Sequence, residues 1–73
     1  MNEEIQIDTE YIQLGKFLKL VNAVESGGMV KLYLADYPVL VNGEEENRRG
    51  RKLYPEDRVE LPATSETFIV KKA

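Results

Sequence analysis

The feature that most constrains the fold is a change in apolar spacing at Leu14. Before it, Glu4-Ile5-Gln6-Ile7-Asp8 alternates with period two, the pattern of a strand with one buried face. Short and terminal, this strand is expected at a sheet edge. Beyond it, Leu14, Phe17, Leu18 and Val21 stand at i, i+3, i+4 and i+7, the apolar stripe of a helix. Gln13, Lys16 and Lys19 fall off the stripe toward water. Gly15 costs such a helix about 1 kcal/mol relative to Ala, so either a close backbone approach requires it or the first turn is soft.

Asn22-Ala23-Val24-Glu25 interrupts the stripe, and Ser26 is placed to cap a second helix by accepting from its free first-turn N–H groups. Gly27 and Gly28 follow, then Val30, Tyr33 and Leu34 at helical spacing as the buried face. Asp36-Tyr37-Pro38 ends the helix, because proline disfavours helical geometry in the residue before it. The rest reads as β structure. Val39-Leu40-Val41 runs into the Asn42-Gly43 turn signal. A charged connection from Glu44 to Lys52 leads to Leu53-Tyr54. Pro55-Glu56-Asp57 is a turn, Arg58-Val59-Glu60-Leu61 a strand, Pro62 to Ser65 a turn, and Thr67-Phe68-Ile69-Val70 a last strand before Lys71-Lys72. The expected class is α+β, a short N-terminal strand and two helices packed on a small antiparallel sheet, with residues 1–73 as a single domain.

The composition removes whole classes of function. The 73 residues include no Cys, His or Trp. A disulfide scaffold, a Cys/His zinc site, a Cys nucleophile and any dyad or triad needing histidine are thereby excluded. No apolar run approaches the ~20 residues of a membrane span, and Met1-Asn2-Glu3-Glu4-Ile5 lacks the basic, then apolar, opening of a signal peptide. Glu44-Glu45-Glu46 is expected to be a solvated run and not a metal cage, because adjacent side chains diverge. The chain reads as soluble, cytoplasmic and non-catalytic, without a cofactor and without a membrane partner.

Charge is segregated. The net value is −3, yet Arg48-Arg49-Gly50-Arg51-Lys52 places four cations within five residues, one residue after the triple Glu. Such a run repels itself and gains nothing from a core. Arginine forks suit phosphate oxygens, and Gly50 lets the backbone bend around an anion. The competing account is a solvated hairpin neutralised in part by Glu44, Glu45 and Glu46. Gly27-Gly28 has two readings as well: helix packing, or admission of a phosphate to a helix N-terminus, with Lys31 one turn on. Of Tyr11, Tyr33, Tyr37 and Tyr54, Tyr37 at a helix end is the candidate for stacking on a base. Tyr33 is expected in the core and Tyr54 in a sheet.

Ser26-Gly27-Gly28-Met29-Val30-Lys31, Val39-Leu40-Val41-Asn42-Gly43-Glu44, Asn47-Arg48-Arg49-Gly50-Arg51-Lys52-Leu53-Tyr54-Pro55 and Asp57-Arg58-Val59-Glu60 together resemble the RNA-binding domain of the ribosomal protein S4 type, the αL motif. With Leu14-Gly15-Lys16-Phe17-Leu18-Lys19-Leu20, the chain is similar to the small stand-alone YaaA-like subgroup over roughly residues 5–70. The resemblance implies binding of structured RNA, ribosomal or transfer RNA, by the two helices and the following hairpin loop, with ribosomal or other protein partners. Carried over by position, the contact candidates are Lys16, Lys19, Ser26, Gly28, Lys31, Asn42, Arg48, Arg49, Arg51 and Lys52. Glu56 stands where the family usually has Gly, which predicts a type I in place of a type II turn.

Two other functions fit parts of the sequence. A β-grasp sulfur carrier also contains Val-Asn-Gly-Glu and Asp-x-Val-Glu, but it needs a C-terminal Gly-Gly, whereas this chain ends Val70-Lys71-Lys72-Ala73. A protein-interaction module would use the Arg run against an acidic partner or the acidic segments against a basic one.

Overall fold

The computed structural model describes residues 2–73; Met1 lies outside it. The elements in order are β1 (Asn2–Ile7), β2 (Ile12–Gln13), α1 (Leu14–Leu20), α2 (Val30–Asp36), β3 (Leu40–Val41), β4 (Glu44–Glu45), β5 (Lys52–Leu53), β6 (Arg58–Leu61) and β7 (Glu66–Lys72). Single 3-10 turns occupy Gly27–Met29 and Pro62–Thr64.

The stripe on α1 does what its spacing predicts. Leu14, Phe17 and Leu18 are fully buried and Val21 packs at the margin of the core. Each such buried side chain contributes about 1.5–3 kcal/mol of transfer free energy. Phe17 meets Phe68 of β7 edge-on, with ring centroids 5.5 Å apart, so α1 is fastened directly to the sheet. The helix ends at Leu20, and just past its cap Asn22 takes a left-handed φ of +64°, a conformation that asparagine tolerates better than most residues. The chain then folds back, and the Ala23 N–H donates to Leu18 O at 2.9 Å.

Five strands form one sheet in the order β1-β7-β6-β3-β4. Val41 pairs with Val59 and Val59 with Phe68, which sets these three side chains in a row across β3, β6 and β7. Ile5 and Ile7 of β1 oppose Val70 and Lys72, so the period-two face of β1 joins the same core. β1 is an edge strand, as its terminal position predicts, but it is not short: among the described strands only β7 is longer. The sheet is mixed, however, and not the antiparallel one expected, because β1 runs parallel to β7. A parallel pair needs a long crossover, and here the rest of the chain, both helices included, lies between the two strands.

Three further local expectations need correction. Ser26 makes no side-chain cap; it is extended, the Gly27–Met29 turn follows, and α2 begins only at Val30. Two consecutive glycines are poor helix formers, so the α-helical geometry starts after them. β2 pairs with β5 in a separate two-stranded sheet, and Tyr54 lies just beyond β5, exposed, against Tyr11. Glu56 has φ +78°, and the Asp57 N–H donates to Tyr54 O at 3.0 Å. This is the glycine position of a type II turn, not a type I turn. Glu56 is held there by its own N–H, which donates to Val70 O at 2.7 Å, by Asp57 Oδ2, which accepts from the Tyr54 N–H at 2.8 Å, and by Lys71 against its carboxylate at 3.0 Å.

Candidate nucleic-acid interface

The basic run occupies the connection after β4 and the first residue of β5, Lys52, and is organised around Glu46. This residue is anchored by its N–H, which donates to Val39 O at 2.8 Å. Its carboxylate accepts from the Asn47 and Arg48 N–H groups at 3.2 and 3.1 Å, from Arg48 Nε and Nη2 at 2.9 and 3.0 Å, and from Arg51 Nη1 at 2.7 Å. Glu46 is 7% exposed, so the expectation of a wholly solvated triple Glu is corrected: Glu44 and Glu45 face water from β4, while Glu46 is buried. The side-chain hydrogen bond from Arg48, reinforced by Arg51 and by the Arg48 N–H, outweighs the cost of burial. Together they lower the Glu46 carboxyl to about 2.

The loop also completes α1. No side chain caps that helix. Instead Leu14 N–H donates to Arg51 O at 2.8 Å and Gly15 N–H to Arg49 O at 2.9 Å, which satisfies two of the free first-turn donors. A Cβ on Gly15 would lie 3.4 Å from Arg49 O and 3.5 Å from Val30. These are ordinary van der Waals distances, so the close approach of the loop does not by itself require the glycine.

The cations gather in two neighbouring grooves. Arg49 reaches the Gly27–Met29 turn, its Nη2 donating to Gly27 O at 3.5 Å, and shares a groove with Lys31, Leu34, Ala35 and Asn47. Ser26 and Gly28 flank that contact and are exposed. Arg48, Gly50, Arg51, Lys52 and Tyr54 line the second groove. There Lys52 sits 4.8 Å from the centre of the Tyr11 ring, which in turn lies 5.8 Å from Tyr54. Such a cation over an aromatic face is held with little loss of exposure.

Three of the sequence candidates stand apart. Lys16 lines a different groove, among Asp8, Glu10 and Tyr11. Lys19 is exposed in the last turn of α1. Asn42, at φ +53°, is committed within the protein: its Nδ2 donates to Asp57 Oδ1 at 3.1 Å and its Oδ1 accepts from the Arg58 N–H at 2.9 Å. It ties the β3–β4 turn to the start of β6.

Sequence reasoning missed Glu46, Asn47, Tyr11 and Tyr54. Nothing in a run of three glutamates marks the third as buried, and the two tyrosines meet only because β2 pairs with β5. The stacking candidate Tyr37 lies elsewhere. α2 turns Lys31 and Leu34 toward the basic groove, and Leu32, Tyr33 and Asp36 toward an apolar one that also contains Met29 of the preceding turn and Tyr37.

A sequence model of the S4 domain family matches residues 5–71. Over 61 residues the chain is 57% identical to the Bacillus subtilis (strain 168) protein named "Probable ribosome maturation protein RlbA", an alignment that spans 84% of this chain and 86% of that one. The loop and helices described above therefore belong to a member of the S4 domain family.

Proposed function

We propose that this protein binds structured RNA, ribosomal or transfer RNA, without catalysing a reaction, and that it serves ribosome maturation or translation in the cytoplasm. Residues 1–73 act as one binding domain. The reading is supported by the family match and by the name of the Bacillus subtilis relative. Among the described residues no helix is long and apolar enough to cross a membrane.

The single observation that carries the reading is the contact of Arg49 with the Gly27 carbonyl. It brings the basic loop beside the turn before α2, where Arg49 and Lys31 line one groove, and this supports a shared ligand for Lys31 and the Arg run. Arg48, Arg49, Arg51, Lys52 and Lys31 form the centre of the contact surface, with Ser26 and Gly28 beside it and Lys16 and Lys19 at its periphery. Phosphate contacts dominate such binding, while Tyr54 and Tyr11 offer faces to an unpaired base.

If four to six phosphates are engaged, log affinity falls with log salt at a slope of roughly −3 to −5. Titration of ribosomal RNA fragments across salt concentrations measures it. The triple substitution Arg48→Ala, Arg49→Ala, Arg51→Ala flattens the slope by about 2–3. No affinity for RNA at low salt would reject the proposal.

A protein contact is supported by a separate observation, the exposure of Met29, Leu32 and Tyr37 around the apolar groove of α2. Pull-downs repeated after nuclease treatment discriminate: an association bridged by RNA disappears, and a direct one persists.

A further inference from the structure

We propose that Glu46, an acid at the centre of a cationic surface, strengthens RNA binding by fixing which edges of Arg48 and Arg51 face the ligand. The inference rests on the RNA reading above and deepens it.

The geometry divides the two guanidinium groups unequally. Arg48 gives the Nε–Nη2 edge to the Glu46 carboxylate, and Arg51 gives only Nη1. What remains for a phosphate is the end-on Nη1–Nη2 edge of Arg48, through its unused hydrogens, and the side-on Nε–Nη2 fork of Arg51, in the groove that both arginines line with Lys52. Each is an edge that suits two phosphate oxygens at once, and Glu46 decides which edge each arginine presents. The same carboxylate also accepts from the Asn47 and Arg48 N–H groups, so it orders the loop backbone whose carbonyls accept from Leu14 and Gly15. A long side chain held in its binding geometry before the ligand arrives loses less freedom on binding.

Coulomb's law alone predicts the opposite sign. Removing any acid from beside a polyanion site should tighten binding, and Glu45, exposed one residue earlier in β4, supplies the matched control. Wild type, Glu45→Gln, Glu46→Gln and Glu46→Asp are titrated with fragmented ribosomal RNA at one salt concentration. Hydrogen exchange is followed at the Leu14 and Gly15 amides.

The expected result is that Glu45→Gln binds as tightly as wild type or more so, while Glu46→Gln binds at least about fivefold more weakly, a loss of a few-fold in line with relaxing one preordered contact. Glu46→Asp, which keeps the charge but shortens the reach, weakens binding as well, and exchange at Leu14 and Gly15 quickens in both Glu46 variants. Equal affinity of Glu46→Gln and Glu45→Gln, with both folded, overturns the proposal. Should Glu46→Gln fail to fold, wild-type affinity in Glu46→Asp overturns it instead. Absence of binding by the wild type overturns the RNA reading itself, which the affinities of the variants relative to wild type do not.

Discussion

Glu46 and Glu56 both meet cations, yet they occupy different media. Glu46 is 7% exposed and receives two arginines and two backbone N–H groups. Glu56 is 72% exposed and, among the described residues, its carboxylate pairs with Lys71 at 3.0 Å. Water screens the second pair and side-chain entropy opposes it, so such pairs contribute little. Around the first, burial of the carboxylate strengthens its charge-assisted hydrogen bonds, that of the half-buried Arg51 more than that of Arg48, which is 74% exposed, and makes an uncompensated Glu46 expensive. The lesson is that two acids that each meet a cation need not share a role: one offsets a charge at the surface, the other organises a loop.

The sharpest test of this contrast is Glu46→Gln, for which we expect a loss of about 2 kcal/mol in stability by chemical denaturation at pH 7. A change under about 0.5 kcal/mol, the scale of an exposed pair, would place Glu46 in the class of Glu56. The pH dependence follows from the same carboxyl. Its folded value, about 2, lies below the ordinary one, so its contribution is complete above about pH 4.5 and is lost as pH falls toward 2. Denaturation midpoints followed from pH 5 to pH 2 should decline in the wild type and decline less in Glu46→Gln.

Asn42→Ala comes next, with about 1–2 kcal/mol lost along with the bonds to Asp57 and Arg58. It should leave the salt slope of RNA binding unchanged, since that amide is occupied within the protein. A flattened slope would return Asn42 to the contact surface. A smaller effect of the opposite sign is expected for Glu56→Gly. Relief of the left-handed conformation at φ +78° is offset by the greater freedom of the unfolded chain, for a net gain between zero and about 1 kcal/mol. Thermal melts decide it, and destabilisation would mean that the contact with Lys71 counts for more than its exposure suggests. Least of all, Glu56→Gln should leave the melting midpoint unchanged within measurement error.

Much of the fold was legible along the chain. The i, i+3, i+4, i+7 stripe from Leu14 specified α1, because a helix in water must bury a stripe of that kind, and Leu14, Phe17 and Leu18 are indeed fully buried. Asn42-Gly43 specified its turn through the left-handed backbone both residues adopt. Less of the candidate interface could be read. The Arg run stood out by charge, but its grouping with Lys31, the separation of Lys16 from it and the internal use of Asn42 depend on contacts between residues distant in sequence.

By itself, then, the sequence determined the local elements, the buried faces and the presence of a cationic segment, since periodicity, turn chemistry and charge act between near neighbours. Tertiary structure alone decided that β1 joins β7 in parallel, that Glu56 takes a glycine's conformation, and that Glu46 is buried beneath two arginines. Each of those outcomes is imposed by hydrogen-bond partners supplied from elsewhere in the chain, which outweigh what the residue would choose in isolation.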